Sequence, residues 1–309
     1  MRDTSRVLIL IVNWNNYSDT KECLESLAQL TSENYQIMLV DNGSSDDSNQ
    51  LLEEEFPEIE LVNLQENLGF AGGNNVGLDY ALKEGFSHIL LLNNDTIVQD
   101  GDFLTKLVQL LEEEPSVGAV GPTVEQTDGI IQLSILPYPN IGNTIVNTLG
   151  LYHPNHKKRQ YVDSVAGCCV LVRREAIEQA GLLDENYFMY GEETEWFYRM
   201  RKRGWKVLFI PKKSVLHKGA ATSKKIEDNS IYIERRANVI YTLVKHQQQI
   251  QAGITAILMI FLLGFRIFWS GIMPRIIQKQ RYPISMLTDL IRIIRQKWIL
   301  ADDRGIFLD

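Results

Sequence analysis

The stretch Val7-Leu-Ile-Leu-Ile-Val-Asn-Trp-Asn-Asn16 places six apolar residues directly before a polar turn. Six apolar residues suit a strand buried on both faces and are too few for a secretory leader, which also needs a small-residue cleavage site. Similar short runs follow at 36–40, 60–64 and 88–92, with segments of helical spacing at about 19–30, 46–56, 74–84 and 101–113. This alternation predicts an α/β fold with a doubly wound, mostly parallel central sheet.

All four predicted strands end in a polar, glycine-rich or carboxylate-bearing turn. The turns are Asn13–Asn16, Asp41–Asp46, Glu66–Asn75 and Asn93–Thr96. Because ligands of parallel sheets lie beyond the carboxyl ends of the strands, these turns are expected to share one site. Each turn alone is better explained as a tight connection with a helix cap. The four together favour a nucleotide-diphosphate site with a divalent metal, since amide and carboxylate oxygens suit Mg²⁺ or Mn²⁺.

The composition is that of a globular protein, with 45% hydrophobic and 23% charged residues in 309. Three cysteines, Cys23, Cys168 and Cys169, make neither a disulfide framework nor a CxxC metal motif, which favours a reducing, cytosolic setting. The net charge of -8 argues against a nucleic-acid partner, which requires a basic surface.

The charge is unevenly distributed along the chain. Residues 1–234 carry a formal charge of -15, whereas residues 235–309 carry +7. No Asp or Glu occurs from Arg235 to Thr288. The two ends of the chain are therefore expected to face different partners.

Ala252–Met273 is predominantly apolar and predicts membrane contact. Arg266 near its middle would cost about 2.5 kcal/mol or more in a bilayer, so a span, a re-entrant segment and an interfacial helix are all alternatives. The stretch from Met286 to Trp298 predicts a basic helix lying on anionic lipid. A hydrophobic helical hairpin packed on the main domain or on a second copy is the other interpretation.

Five motifs, in their order and spacing, resemble those of family 2 glycosyltransferases, especially the rhamnosyltransferase-like branch. They are Val12-Asn-Trp-Asn-Asn16, Val40–Asp46, Asn67–Gly77, Leu92-Asn-Asn-Asp-Thr96 and Met189–Trp196. The resemblance covers roughly residues 5–240. It implies a GT-A type nucleotide-diphospho-sugar transferase fold, a nucleotide-sugar donor, a divalent cation and inversion at the anomeric carbon.

The resemblance also implies a donor site. In it, Asp41 would accept a hydrogen bond from a pyrimidine base, and the loop from Asn67 to Asn75 would shape the donor pocket, which favours a UDP- or dTDP-sugar. The donor-binding residues implied in this way are Val12, Asn13, Asn15, Asp41, Asn42, Asn67, Gly69, Gly73, Asn74, Asn93 and Asn94.

Asp95 and His217 are the implied ligands of Mg²⁺ or Mn²⁺. Asp95 is the last residue of the family's metal-binding turn, whose first two acids are the amides Asn93 and Asn94 here. His217 matches a histidine that lies near the metal or diphosphate in related enzymes, although a lone histidine after a strand is often structural.

Glu193 is the implied general base and Glu192 the second candidate. The family usually has Asp at the position of Glu193, and one extra methylene moves the carboxylate by roughly 1.5 Å, a shift that affects rate. Acids in the first turn of a helix are also favoured by its dipole alone. Trp196 and Cys168 are interpreted as acceptor residues, and Gln126–Gln160 as an acceptor loop or a plain solvated loop.

Arg235 and Arg236 are expected either to neutralise the charge of the diphosphate or only to begin the basic region of the chain.

Three domains are expected. The first is a catalytic domain at 1–228, whose nucleotide-sugar half extends to about 125 and whose acceptor half begins at 126. A connecting helix at 229–248 follows, and then a membrane-associated helical extension, hydrophobic and basic, at 249–309.

The expected function is transfer of a sugar, with rhamnose as the candidate, to a hydroxyl of a glycan or lipid-linked glycan in cell-surface polysaccharide synthesis. The expected location is the cytoplasmic face of the inner membrane, with a homodimer as the candidate assembly. The alternative is a non-catalytic partner subunit or sugar-binding scaffold. A nucleotidyltransferase is disfavoured because the turn Asn13–Asn16 has no glycine-rich, basic loop.

Overall fold

A computed structural model describes residues 6–148, 151–219, 228–272 and 284–305. The chain forms two compact units, each assembled from three stretches of sequence. The first unit comprises Met1–Pro137, Pro154–Phe188 and Glu192–Ala221, and the second comprises Tyr138–His153, Met189–Gly191 and Thr222–Asp309. The boundaries expected at 228 and 248 stay predictions.

The first unit contains the strands. In chain order they are β1 (Val7–Asn13), β2 (Tyr35–Asp41), β3 (Glu60–Asn63), β4 (His88–Asn93), β5 (Thr96–Val98), β6 (Val117–Gln126), β7 (Ile135–Leu136), β8 (Gln160–Val162), β9 (Ser164–Val165), β10 (Cys169–Arg173) and β11 (Lys206–His217). Within the described residues, the central sheet has the order β3-β2-β1-β4-β10-β6-β11-β5, with β8 also paired to β11. β7 and β9 form a small separate pair.

The central sheet is mostly parallel, as predicted. β3, β2, β1 and β4 run in one direction, and β10 is antiparallel to both β4 and β6. The register pairs Val12 with both Val40 and Asn93, so β1, β2 and β4 end at the same level. The turns that follow these three strands therefore meet at one edge of the sheet, as expected for a parallel arrangement.

Ten helices lie within the described residues. They are α1 (Tyr17–Leu27), α2 (Ser48–Glu55), α3 (Gly69–Glu84), α4 (Phe103–Glu113), α5 (Ile141–Thr148), α6 (Arg174–Ala180), α7 (Glu192–Lys202), α8 (Asp228–Lys245), α9 (Gln249–Ile272) and α10 (Ser285–Gly305). The helices predicted in the first hundred residues are present. The segment Gln126–Gln160, expected to be a loop, includes β7 and α5 and is divided between the two units.

The glycine-rich stretch from Gly69 to Gly77 is the first half of α3 rather than the expected loop. Its glycines serve close packing, since a Cβ at Gly77 would lie 2.2 Å from the Leu10 side chain. The helix can therefore approach β1 more closely than a larger residue would allow.

The sheet is buried on both faces. Along β1, Val7, Ile9 and Ile11 join a core with residues of α1, α2 and α4. Leu8 and Leu10 point to the opposite face, where residues of α3, α6 and α7 complete a second core. Because successive side chains of a strand alternate between faces, an all-apolar strand requires two such layers. The doubly wound arrangement predicted from the sequence is confirmed.

The described part of the second unit is mainly helical. Lys297 of α10 forms an ion pair of 2.9 Å with Glu234 of α8. The amide of Gln251 in α9 donates to the carbonyl of Pro139, just before α5, at 3.4 Å. Ile250, Ile254, Ile257 and Phe261 of α9 are exposed and recur at intervals of three or four residues, so they share one helix face. This set is called the α9 stripe below.

Among the described residues, no helix combines the length and apolarity that crossing a bilayer would require. Met273, at the end of the segment expected to contact the membrane, and the side chain of Arg266 lie outside the described residues.

Candidate functional site

The carboxylate of Asp41, at the end of β2, is enclosed by hydrogen-bond donors. Asn13 Nδ2 donates to Oδ2 at 2.7 Å, the Ser44 hydroxyl donates to the same oxygen at 2.7 Å, and the Ser44 backbone N–H donates to Oδ1 at 2.8 Å. Asp41 is 1% exposed. Its expected contact with a nucleotide base stays a prediction, and the structure adds a second task, which is to hold the turns after β1 and β2 together.

Asn15 strengthens this connection from the turn after β1. Its backbone N–H donates to the Ser44 hydroxyl at 2.8 Å, and its side-chain oxygen accepts from the Ser45 backbone N–H at 2.7 Å. Asn15 has a φ of 50°, a conformation that Asn adopts more readily than most residues. The turns after β1 and β2 are thus joined by both backbone and side chains.

The turn after β4 is tied to the same network through Thr20. Asn94 Nδ2 donates to the Thr20 hydroxyl at 2.8 Å, and this hydroxyl lies 2.8 Å from Asn13 Oδ1. All three side chains are buried. Asn13 therefore couples the turn that carries Asp41 to the turn that carries Asn94.

Asn42 and Asn67 fix the entry to α3. Asn42 Nδ2 donates to Asn67 Oδ1 and to the Gly69 carbonyl, each at 3.0 Å, and Asn67 Oδ1 accepts from the Gly69 N–H at 2.8 Å. Gly69 has a φ of 73°, and a Cβ there would lie 2.5 Å from the Phe188 carbonyl oxygen. Glycine is therefore required at the start of α3.

Two other predicted donor residues lie along α3. A Cβ at Gly73 would approach Val12 Cγ1 to 2.9 Å, so Gly73 allows the helix to pack against the end of β1. Asn74 is buried and donates to the Phe70 carbonyl at 2.8 Å within the helix. The donor-binding roles of both residues stay predictions.

Asp95 and His217, which are far apart in sequence, lie side by side. β11 pairs with β5 in antiparallel fashion, with His217 opposite Thr96, and the Lys218 N–H donates to the Asp95 carbonyl at 2.9 Å. His217 Nε2 then lies 2.9 Å from Asp95 Oδ1. The side chains of Asn93 and His217 are also in contact, at 3.4 Å. The two expected metal ligands are thus adjacent, and their metal-binding role stays a prediction.

Gln132 completes the surroundings of His217. Its Oε1 lies 2.6 Å from His217 Nδ1, and its Nε2 lies 3.8 Å from Cys168 Sγ. Burial raises the pKa of the Cys168 thiol to about 12, and the nearby charges of Asp95 and Glu193 add to the effect. Cys168, expected to contact the acceptor, therefore lies beside the carboxylates of the site as a neutral thiol.

The donor set of Asp95 and His217 fits a divalent cation. The pair is 7% and 9% exposed, and it offers a carboxylate oxygen and an imidazole nitrogen at a separation that adjacent ligands of one ion can adopt. Carboxylate oxygen suits Mg²⁺ and Mn²⁺, and imidazole favours the softer Mn²⁺. No cluster of three or more His, Cys, Asp or Glu occurs in the described ranges.

The three acids at the start of α7 differ in burial. Glu195 is fully buried and interacts with Arg199 Nε, which lies 3.0 Å from both carboxylate oxygens. Glu192 is also buried, whereas Glu193 is partly exposed. A Cβ at Gly167 would lie 3.6 Å from Glu193 Cβ, so Glu193 flanks the strand that begins at Cys169. Glu193 is the acid of this turn with access to solvent.

Trp196 corrects an expectation. It was interpreted as an acceptor residue, but it is 0% exposed, packs on Phe197 and donates its indole N–H to the Gly181 carbonyl at 2.7 Å. Its position one turn after the acids faces the core, because α7 buries this side against the sheet. Trp196 supports the helix and offers no surface to an acceptor.

Arg235 and Arg236 belong to the second unit. The guanidinium of Arg235 lies 3.8 Å from the centre of the Tyr190 ring, and that of Arg236 lies 3.3 Å from the centre of the Tyr232 ring. Both are cation–π contacts, which hold the two planar groups in place. Their expected role at a diphosphate stays a prediction.

Sequence reasoning did not single out Ser44, Thr20 or Gln132. The spacing of Asp41 and Ser44 is a signal for a local side-chain turn, but it does not reveal the bonds to Asn13 and Asn15. Gln132 lies in a segment without apolar periodicity, and only the pairing of β11 with β6 and β5 brings His217 toward it.

Comparison with known proteins places these motifs in a family. A sequence profile described as glycosyl transferase family 2 matches residues 8–181, more than half of the chain. The chain is 24% identical over 258 residues to an N-acetylglucosaminyl-diphospho-decaprenol L-rhamnosyltransferase of Mycobacterium tuberculosis, covering 77% of this chain and 84% of the relative. It is 27% identical over 198 residues to a low-salt glycan biosynthesis hexosyltransferase of Haloferax volcanii, covering 63% and 61%.

Solved structures share the fold. GalNAc-T7, crystallised with UDP, GalNAc and Mn²⁺, gives a TM-score of 0.58 at 15% identity, covering 79% of this chain and 48% of that one. A mannosyltransferase of Pyrobaculum calidifontis with GDP-Man and Mn²⁺ gives 0.54 at 13% identity, covering 98% and 87%. The chain thus spans about half the length of GalNAc-T7. These likenesses confirm the GT-A type fold.

Proposed function

The chain belongs to glycosyl transferase family 2, and from this premise we propose that it is an inverting, metal-dependent glycosyltransferase. The donor is a UDP- or dTDP-sugar, and the acceptor is a hydroxyl of a glycan or lipid-linked glycan destined for the cell surface. The observation that carries the proposal is the adjacency of Asp95 and His217 at the edge where the polar turns of the sheet meet.

The residues at this edge of the sheet have separate proposed roles. Asp95 and His217 would hold a Mg²⁺ or Mn²⁺ ion, which supplies positive charge to the departing diphosphate. Asp41 and Asn13 set the position of the turns that enclose the nucleotide, because their mutual bonds fix both turns.

Glu193 is the proposed general base. Transfer with inversion requires a group that removes the proton of the acceptor hydroxyl as the new bond forms. Glu193 is the partly exposed acid at the start of α7, while Glu195 interacts with Arg199. Glu192, which is buried, is the second candidate.

Exchange of Glu193 tests this assignment. Glu193→Gln is expected to lower the rate of transfer by about 10²- to 10⁴-fold, the usual contribution of a general base, and to leave nucleotide binding within twofold. Glu192→Gln serves as the matched control, with a smaller loss. Full activity in Glu193→Gln, or a greater loss in Glu192→Gln, would remove Glu193 from the role.

The donor class is tested by thermal unfolding. The full chain is heated with UDP, dTDP, GDP, ADP or NAD, each with and without Mn²⁺. A ligand at 100 times its dissociation constant adds about 2.7 kcal/mol to the free energy of unfolding, which raises the midpoint by several degrees. We expect a metal-dependent rise with UDP or dTDP alone. A rise with GDP alone would contradict the pyrimidine donor.

Rhamnose is the proposed sugar because the mycobacterial relative is named as a rhamnosyltransferase with a polyprenol-linked substrate. Incubation with dTDP-rhamnose and a polyprenyl-diphosphate N-acetylglucosamine, followed by mass spectrometry, tests donor and acceptor together. Addition of a deoxyhexose mass supports the proposal, and absence of any product with an enzyme that binds dTDP contradicts this acceptor.

We also propose that the chain acts at the cytoplasmic face of the inner membrane, bound through its second unit. The α9 stripe is an exposed apolar helix face, and the surrounding sequence from Arg235 to Thr288 has no acidic residue. Apolar burial and attraction to anionic lipid act together in interfacial helices. An interfacial position of α9 requires no membrane-spanning helix.

Flotation with liposomes tests this location. The full chain is expected to float with vesicles of anionic phospholipid and less with neutral ones. Ile250→Asn combined with Ile257→Asn should reduce flotation by about tenfold. The matched control is Ile130→Asn combined with Leu151→Asn, two exposed apolar residues outside the α9 stripe, and it should float like the wild type. Equal flotation of the two double variants would contradict the proposed role of the stripe.

One observation favours a second candidate, a non-catalytic partner subunit. Glu193 stands where the family usually has Asp, so the carboxylate is displaced by one methylene. Sugar-nucleotide turnover by the purified chain separates the two functions. Self-association as a homodimer is the accompanying proposal, checked by light scattering on the eluted protein.

A further inference from the structure

The segment after β6 turns back along that strand and carries Gln132 to the edge of the sheet. The Gln132 N–H donates to the Val124 carbonyl at 2.9 Å, and the Ser134 hydroxyl donates to the Gln132 carbonyl at 3.0 Å. These two bonds fix the backbone on both sides of the glutamine side chain. The side chain thereby reaches His217 from a stable position.

The amide of Gln132 has a defined orientation. Its Nε2 is directed at Cys168 Sγ, at 3.8 Å, and its Oε1 at His217 Nδ1, at 2.6 Å. An amide oxygen can only accept a hydrogen bond, so Nδ1 must carry a proton to donate. The other ring nitrogen, Nε2, then faces Asp95 Oδ1 at 2.9 Å.

We propose that Gln132 is a positioning residue for cation binding: it holds the His217 ring in the Nδ1–H tautomer, with Nε2 aimed beside Asp95. The inference rests on the metal-dependent function proposed above. Histidines that bind metals in proteins generally donate their second ring N–H to an acceptor, and loss of that acceptor typically costs 10- to 100-fold in metal affinity.

Gln132 is well suited to this task because its contact is independent of Asp95. Asp95 belongs to the turn between β4 and β5, whereas Gln132 lies between β6 and β7. Two separate parts of the first unit thus fix the two sides of one imidazole ring. Removal of Gln132 would leave Asp95 in place and allow the ring to rotate.

The test compares Gln132→Leu with Gln132→Glu in the full chain. Glutamate keeps an oxygen for His217 Nδ1 but removes the donor to Cys168, so it separates the two contacts. Mn²⁺ binding in the presence of saturating UDP is measured by electron paramagnetic resonance. We expect a 10- to 100-fold loss of Mn²⁺ affinity in Gln132→Leu and a loss below threefold in Gln132→Glu.

A second readout separates positioning from general destabilisation. Nitrogen-15 spectra of the histidine rings, recorded with saturating UDP and diamagnetic Mg²⁺, should show the Nδ1–H tautomer of His217 in the wild type and a mixture in Gln132→Leu. UDP binding without metal should be the same in both. If Gln132→Leu does not fold, Gln132→Met preserves the side-chain length and takes its place in both measurements.

The outcomes are distinguishable. Mn²⁺ affinity of Gln132→Leu within threefold of the wild type, or an unchanged tautomer, would overturn the inference alone. Failure of the wild type to bind Mn²⁺ with UDP would overturn both this inference and the metal-dependent function.

Discussion

Two aspartates at the same edge of the central sheet have opposite surroundings. Asp41 ends β2 and accepts three hydrogen bonds, from Asn13 and Ser44, so its charge is balanced within the protein. Asp95 follows β4, and its carboxylate faces His217, while the contact with Lys218 is made by its backbone carbonyl. Both are almost fully buried.

The difference lies in what each carboxylate contacts: Asp41 holds two turns together, whereas Asp95, the proposed metal ligand, faces an imidazole ring. A buried charge is costly unless donors surround it, and those around Asp41 are supplied by adjoining turns. The surroundings of Asp95 include His217, the second proposed metal ligand. Two acids at the same edge of the sheet can therefore differ in role, and we expect the groups around each carboxylate to decide that role.

Within the comparison of the two aspartates, the larger effect is expected from Asp95→Ala. Loss of the proposed metal ligand should lower transfer by about 10³-fold, or about 4 kcal/mol of transition-state stabilisation. Donor binding should weaken only when Mn²⁺ is present, and the unfolding midpoint should change little. Calorimetric titration with UDP, with and without Mn²⁺, checks this. An equal loss without metal would remove Asp95 from the metal site.

Asp41→Ala should affect stability instead. It leaves buried donors of Asn13 and Ser44 without their acceptor, which costs about 3 kcal/mol of unfolding free energy. The unfolding midpoint should fall by about 6 to 12 °C, as measured by calorimetry. A variant as stable as the wild type would mean that the two aspartates do not differ as described.

Thr20→Val tests the link between the two turns with a smaller effect. Valine preserves the shape of the side chain but removes the hydroxyl that lies between Asn13 and Asn94. The expected loss is about 1 to 2 kcal/mol of unfolding free energy, measured by urea denaturation. Ser18→Ala, on the same helix but exposed to solvent, is the control for loss of a hydroxyl.

The buried thiol of Cys168, which lies near Asp95, is expected to make the unfolding free energy depend on pH. Burial, with the charges of Asp95 and Glu193, raises the thiol pKa to about 12 in the folded chain, above about 8.5 in an unfolded one. The stability that this thiol contributes is complete below pH 8.5 and is lost as pH rises toward 12. Between pH 9 and 10, the unfolding free energy of both proteins should fall, and the fall should be about 1 kcal/mol smaller in Cys168→Ser than in the wild type. Urea denaturation at the two pH values measures this difference.

The sequence predicts the first half of the fold well because apolar runs and helical spacing are local. The strands from Val7 to Asn93 and the meeting of their turns follow from period and topology alone. The helical state of Gly69–Gly77 could not be read from composition, since glycine disfavours helices and its reason here is the close approach to Leu10.

Contacts between distant residues account for most of what was missed. Asp95 was assigned through a resemblance, but its contact with His217 depends on the pairing of β5 with β11, and Gln132 enters only through the return of the chain after β6. The expectation for Trp196 is wrong because the helix face that carries this residue is buried in the core. The orientation of a side chain within a motif requires the packing partner.

The second unit gathers Tyr138–His153 together with helices encoded after residue 222. During synthesis, α5 therefore leaves the ribosome before its partners exist. At about 5 to 20 residues per second, the chain from His153 to Asp228 takes roughly 4 to 15 s to make. For that interval α5 lacks the helix at Gln249–Ile272 that it contacts in the folded second unit.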